Sequence, residues 1–290
     1  MTKTILDNKI AFSSSNSVKL ESNAIRSAQF HQIGLAQIYR EQIMRTKRRT
    51  AFISGSGRNM GRACAKELAS AGFNIILNGS ANREDCELVA AEVRAIGVEV
   101  IIAMGDVGVK ADVMTVIEKA FNAFGRVDVL VNNAAIRPAT QFLEMSDIDL
   151  ERVMNVNCYG AVWFSRAFLP GMVENRWGRI VNFTGMNSLQ GTAGRPHVAM
   201  AKHAAWGLTK ALSREFGPKG ITANIISPGT FPDQDIDISQ SEQFLGLLRQ
   251  NPTGRLGRSD DIAAAVGLLC SDKGGFINGQ LLQINGGVVG

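Results

Sequence analysis

The sequence predicts an α/β domain, a doubly wound seven-stranded parallel sheet flanked by helices, and three observations carry that expectation. From Thr50 onward short apolar runs alternate with helical stretches, as repeated strand-helix-strand units require. The runs are apolar throughout rather than at every second position, which suits strands covered on both faces. The 30 glycines are scattered singly through apolar segments, which suits tight strand-to-helix turns and excludes a collagen-like or disordered chain.

The predicted strands are Ala51 to Ser54, Asn74 to Asn78, Val98 to Met104, Val127 to Asn132, Gly178 to Thr184, Ile221 to Ser227 and Gln280 to Ile284. Six helical stretches, most of them amphipathic, lie between them. With 290 residues and 45% apolar side chains the chain can fill one large core, assigned to residues 49–290. Residues 1–48 are rich in Ser, Asn and Gln, with one short amphipathic stretch around Ile33, Leu35, Ile38 and Tyr39, and read as a leader or disordered extension. An organelle-targeting presequence is the competing reading, weakened by the acids in this stretch.

Charge and cysteine content narrow the function classes. The net charge is +5, yet residues 1 to 49 alone hold nine Lys/Arg against Asp7, Glu21 and Glu41, so the globular part is close to neutral. That distribution argues against a nucleic-acid partner. No run approaches the roughly 18 apolar residues of a membrane helix. Cys64, Cys86, Cys158 and Cys270 are far apart with no metal-ligand spacing, so a cytoplasmic protein with reduced thiols and no metal is expected.

Directly after the first predicted strand comes Ser54-Gly55-Ser56-Gly57-Arg58-Asn59-Met60-Gly61, opening a helix expected over Arg62 to Ala71. Glycines at such a turn let the backbone approach a pyrophosphate, whose charge is met by the helix N-terminus. The turn is similar to a TGxxxGxG pattern, with Asn59 at the middle glycine; Asn tolerates positive φ better than most residues. After the second strand stands Gly79-Ser80, where an NAD-specific site carries an acid. Arg58, with Ser80 and Arg83, suits a 2′-phosphate instead, so NADP(H) is expected over NAD(H).

Further landmarks follow in order: Asp106-Val107, Asn132-Asn133-Ala134-Ala135, Asn157 within Asn155-Val156-Asn157-Cys158-Tyr159-Gly160, Lys202, Pro228-Gly229 and Asn285-Gly286-Gly287. On these residues, residues 50 to 290 resemble the short-chain dehydrogenase/reductase family in its 3-oxoacyl-ACP-reductase-like form. The resemblance implies a Rossmann-type domain. It further implies that Gly55, Arg58, Asn59, Met60, Gly61, Ser80, Asp106, Val107, Asn133, Lys202, Pro228 and Gly229 bind the cofactor, with Asp106-Val107 at the adenine and Pro228-Gly229 at the nicotinamide.

The family pattern also implies an acid. A hydride added to a carbonyl leaves an alkoxide that must be protonated. The family supplies the proton from a tyrosine, whose pKa of about 10 is lowered by a lysine four residues later. A serine holds the carbonyl and an asparagine supports a water chain. Asn157 and Lys202 match, although Asn157 could equally be a structural residue patching a helix irregularity; Val198 stands at the tyrosine and Gly185 at the serine, and no YxxxK occurs elsewhere.

His197 is the best replacement acid, although a residue one step from Val198 points about 100° away on a helix and faces solvent or a subunit neighbour in that register. Asn187, Ser188, Arg195 and Lys202 are further polar candidates, and His203 is expected on the outer face. The segment Thr230 to Gln250, with acids Asp233, Asp235, Asp237 and Glu242, is placed as a mobile lid. The expected function is an NADP(H)-linked oxidoreductase acting on a small carbonyl or alcohol through a non-standard proton donor, assembled as a homodimer or homotetramer. The alternatives are a non-redox lyase, hydrolase or isomerase, and a silent NADP(H)-binding regulator.

Overall fold

Seven parallel strands form one sheet in the order β3-β2-β1-β4-β5-β6-β7. They are β1 (Thr50–Ile53), β2 (Asn74–Leu77), β3 (Val100–Ile102), β4 (Val129–Asn132), β5 (Gly178–Phe183), β6 (Ile221–Pro228) and β7 (Leu281–Ile284). Each sequence-predicted run overlaps one of them, with β1 starting one residue earlier, at Thr50, and β6 ending one later, at Pro228. β3 is shorter than its apolar run, because only Val100, Ile101 and Ile102 find partners on β2. The computed structural model describes residues 48–233 and 236–289, within which Arg49–Gly290 make one compact unit. The N-terminal stretch with its amphipathic segment and Tyr39, and Asp235 of the expected lid, lie outside the described residues.

The continuous apolar character of the strands has a direct explanation. Successive side chains point to opposite faces, and both faces are covered. Ala51 and Ile53 of β1, Ile75 and Leu77 of β2, and Val129 and Val131 of β4 join one buried cluster. Phe52, Ile76 and Leu130, the residues between them, join the other.

The first cluster is roofed by α1 (Asn59–Ser70), α2 (Arg83–Ile96) and, after β6, the helix Ser259–Cys270. The second is roofed by α3 (Lys110–Phe124) and by the helix Gly160–Glu174, whose Phe164 and Phe168 stack against Phe52 with ring centroids 4.5 and 5.6 Å apart. Burial of such rings is the largest single contribution to a core of this kind.

The remaining elements shape the C-terminal edge of the sheet. α4 (Asp147–Met154) passes through a π-helical turn, Asn155–Tyr159, into α5 (Gly160–Glu174). A five-residue α6 (Met186–Gln190) and the long α7 (Pro196–Phe216) follow β5; α8 (Glu242–Gln250) and α9 (Ser259–Cys270) follow β6. α1 begins at Asn59 rather than Arg62, since the end of the glycine turn is already its first turn. β1 lies between β2 and β4, so the winding reverses there and the crevice beyond these strands is the place for a ligand.

Candidate functional site

The glycine turn after β1 is built by close approach. Gly55 has φ +63° and Asn59 φ +48°, both left-handed, which glycine and asparagine tolerate. A Cβ on Gly61 would run into the Gly55 carbonyl oxygen and come within 2.8 Å of Asn133 Nδ2 and Ser56 Cα. Asn133 fastens the turn from β4, its Nδ2 donating to the carbonyls of Ser54 (3.0 Å) and Gly55 (2.9 Å). The Ser54 hydroxyl accepts from the backbone N–H of Asn133 and Ala134, each at 3.0 Å. Asn78 ties in the next strands: its backbone N–H donates to Ser56 Oγ (2.9 Å) and its Nδ2 to the carbonyls of Ala103 (2.9 Å) and Gly105 (3.0 Å).

Above this frame runs a cleft of about 660 Å³, within the range of roughly 300–1,000 Å³ typical of cofactor sites. Gly55, Arg58, Asn59, Met60, Gly61, Ser80, Asp106, Val107, Asn133, Pro228 and Gly229 all line it. Every cofactor residue named from the sequence except Lys202 is therefore on its wall. Asp106 is held by Arg152, whose Nη1 and Nη2 lie 3.2 and 2.5 Å from its oxygens, and by the Gly108 N–H at 2.8 Å. Burial raises its carboxyl, but the Arg152 hydrogen bonds and charge together with the Gly108 N–H hold it below the ordinary value. Arg83 is not on the cleft wall; it pairs with Glu87 at 3.0 Å. Asp85 and Asn78, which the sequence reading did not single out, do line it.

A smaller lobe of about 90 Å³ adjoins the cleft and shares Arg137, Thr184, Gly185, Pro228 and Gly229 with it. Lys202 reaches this lobe from α7 and donates from Nζ to the Phe183 carbonyl at 2.9 Å. Burial, followed by the nearby charge of Arg137, lowers its pKa to about 8. Val198 lines the same lobe and packs on the other side against Val153, Cys158 and Ala201. A Cβ on Gly185 would meet nothing within 4 Å, so its open position is not imposed by crowding.

Two catalytic expectations change. His197 is 0% exposed and lines neither lobe, and both its ring nitrogens lack a hydrogen-bond partner. It faces the interior, not solvent or a neighbour: packing of the first turn of α7 turns it away from the cleft. Asn157 also lines neither lobe. Its Oδ1 accepts from the Ile136 N–H (2.9 Å) and its Nδ2 donates to the Ile136 carbonyl (2.8 Å), so it ties the π-helical turn to the loop after β4. It positions that loop. His203 is exposed, as expected, and Tyr159 stacks on Trp163 at the surface with centroids 6.2 Å apart, away from the site.

Asn187, Ser188 and Arg195 line the small lobe. Arg137 and Thr184 were missed. Arg137 stands on an irregular loop with no periodicity to flag it, and Thr184 is a strand-end residue whose buried hydroxyl has no hydrogen-bond partner. Asn285-Gly286-Gly287 closes a turn over Asn251 rather than lining the cleft, with Asn251 Nδ2 donating to the Asn285 carbonyl at 3.2 Å. The four cysteines are buried and unpaired, and no metal-binding group of His, Cys, Asp or Glu occurs among the described residues. No described helix is long and apolar enough to cross a membrane.

Residues 55–289 match the family model described as Enoyl-(Acyl carrier protein) reductase. The chain belongs to the short-chain dehydrogenase/reductase family of oxidoreductases. It is 35% identical over 239 residues to the 3-oxoacyl-[acyl-carrier-protein] reductase of Haemophilus influenzae, covering 82% of this chain and 97% of that one. It is 37% identical over 246 residues to a (2S)-[(R)-hydroxy(phenyl)methyl]succinyl-CoA dehydrogenase subunit of Thauera aromatica, covering 84% and 98%. A crystal structure of a candidate gluconate dehydrogenase from Agrobacterium tumefaciens superposes with a TM-score of 0.76 at 28% identity, over 83% of this chain and 95% of that one. Lys202, Val198 and Gly185, which the sequence resemblance sets at the lysine, tyrosine and serine of the family pattern, all line the small lobe.

Proposed function

We propose that this protein is an NADP(H)-linked oxidoreductase that reduces a small carbonyl compound, or oxidises the matching alcohol, with Lys202 as the proton donor. The observation that carries the reading is continuity: a cleft of cofactor size runs into the lobe where Lys202 ends, across shared walls at Thr184, Gly185, Pro228 and Gly229. The glycine cradle that a Cβ on Gly61 would fill suits a pyrophosphate. Arg58 and Ser80 on the cleft wall favour a 2′-phosphate, opposed by the carboxylates of Asp85 and of Asp233, which also line the cleft.

When bound, the nicotinamide group gives or takes the hydride at the substrate carbon. Lys202 holds a proton at Nζ, fixed in direction by the Phe183 carbonyl, and releases it to the oxygen that becomes a hydroxyl. Its lowered pKa, about 8, makes that transfer easier near neutral pH than for an ordinary ammonium. Solvent at the open cleft restores the proton. Asn157 supports this indirectly by holding Ile136 beside the cleft. Pro228 and Gly229 flank the nicotinamide in this reading. The protein works in the cytoplasm as a homodimer or homotetramer.

Absence of both family hydroxyls favours one competing reading, a dinucleotide-binding protein without turnover. One experiment separates them: the protein is loaded with NADPH carrying deuterium at the reactive carbon and mixed with a panel of small ketones, aldehydes and imines. Deuterium in the product supports the oxidoreductase; tight NADPH binding with no label transferred across the panel supports the silent binder. Failure to bind NADPH sinks both.

A further inference from the structure

Among the described residues the small lobe is lined by three cations, Arg137, Arg195 and Lys202, and by no acidic residue. Neither Arg137 nor Arg195 has a carboxylate partner among the described residues, whereas Arg152 beside the main cleft is tied to Asp106. Three positive charges flank about 90 Å³, Lys202 buried and Arg137 open to solvent, and the charge of Arg137 already helps to hold the Lys202 proton loosely. Two further features converge there. α7, 21 residues long, starts at Pro196 with no side chain capping it, and Arg195, Val198 and Ala199 of that end line the lobe. The Thr184 hydroxyl, in a residue only 6% exposed, lines it without a hydrogen-bond partner.

Resting on the oxidoreductase reading, we infer that the substrate carries a carboxylate within a few atoms of its reacting carbon, held between the guanidinium groups of Arg137 and Arg195. A planar carboxylate matches the fork of an arginine in two parallel hydrogen bonds, and the volume admits a short acyl chain but not a second bulky group. The carboxylate takes the place of the acids that the lobe lacks. Lys202 remains free to face the carbonyl oxygen. The site then selects short oxo acids or hydroxy acids and excludes their uncharged esters.

The test reads binding separately from turnover. Calorimetric titrations of the full chain, with saturating NADPH, compare 3-oxobutanoate, its methyl ester and a ketone phosphate of similar length, using the native protein and Arg137→Gln/Arg195→Gln. The acid should bind at least tenfold tighter than the ester, and that preference should fall below twofold in the double variant. Equal binding of acid and ester, a preference that survives the double substitution, or tighter binding of the phosphate overturns the inference. If the acid binds with the expected preference yet takes no deuterium from labelled NADPH, the oxidoreductase reading fails while the carboxylate site stands.

Discussion

The side-chain amide of Asn59 in the glycine turn donates a 2.6 Å hydrogen bond to a carboxylate oxygen of Asp233 in the loop after β6. Asn59 thus ties the glycine turn to the loop after β6, whose Asp233 lines the cleft. The tie places a negative charge where an anionic pyrophosphate would come. A like charge at this partly solvated distance costs on the order of 1 kcal/mol. Asp233→Asn should therefore tighten NADPH binding roughly fivefold at low salt, less at high salt. Unchanged affinity in a fluorescence titration at both salt concentrations would show that Asp233 swings clear of the bound dinucleotide.

Arg58 stands at the N-terminal boundary of α1 with extended backbone and no side-chain capping bond, and it lines the cleft along with Ser80. Its guanidinium is the one cation at that end that the sequence reading assigns to a 2′-phosphate and the cleft retains, since Arg83 is engaged with Glu87. Arg58→Gln should weaken NADPH about tenfold and leave NADH within twofold, the value of one charge-assisted pair on a half-exposed surface. Equal losses for the two dinucleotides would assign Arg58 to the pyrophosphate instead.

Lys202 titrates at about 8 in the fold against an ordinary 10.5, because burial disfavours its charge. Between these values the unfolded chain keeps a proton that the folded chain has released, so stability from this group rises with pH across that window. Below about pH 8 the cost of the buried charge is present in full. Unfolding free energies of native protein and Lys202→Met from urea titrations, compared from pH 7 to pH 11, should converge by about 3 kcal/mol, the variant being the more stable at the acid end. Parallel curves would mean that the ammonium is solvated in the molecule. In carbonyl reduction kcat/KM should decline tenfold per pH unit above about 8, as the donor loses its proton.

Gly185 has extended backbone, φ −178°, and open space where a Cβ would go. Gly185→Ser should thus leave the melting temperature within about 2 °C. Val198→Tyr is costlier, because Val198 is only 3% exposed and packs on Cys158 and Val153; overpacking there is worth about 1–3 kcal/mol unless the ring turns into the lobe. The double variant should raise ketone reduction at least tenfold at pH 7, measured by NADPH oxidation, because a phenol beside Lys202 adds a second proton donor. A folded double variant no faster than the parent would mean that the lobe does not accept the substrate oxygen near Lys202.

Much of this site was legible in the chain because its signals are local. The turn from Gly55 to Gly61 is contiguous, and Lys202 is one helical turn from Val198 whatever surrounds them. The residues that the sequence misplaced, as with His197, or left open, as with Asn157, depend on distant neighbours. His197 was read from a helical projection, but the first turn of a helix is oriented by what packs over it, and here the ring is entirely enclosed. Asn157 matched a motif, yet its amide is taken up by the backbone of Ile136, 21 residues earlier, a pairing that no spacing announces.

The amino-acid order by itself determined the doubly wound sheet and the glycine turn after β1, since strand periodicity and glycine conformations are properties of short segments. Only the tertiary structure decided that Arg137, from the loop after β4, and Arg195, at the start of α7, line one lobe with Lys202. The physical reason is that charge acts through space: Arg137 is about 60 residues from Arg195 and Lys202 along the chain, and the three become one electrostatic feature only once the sheet brings the ends of its strands together.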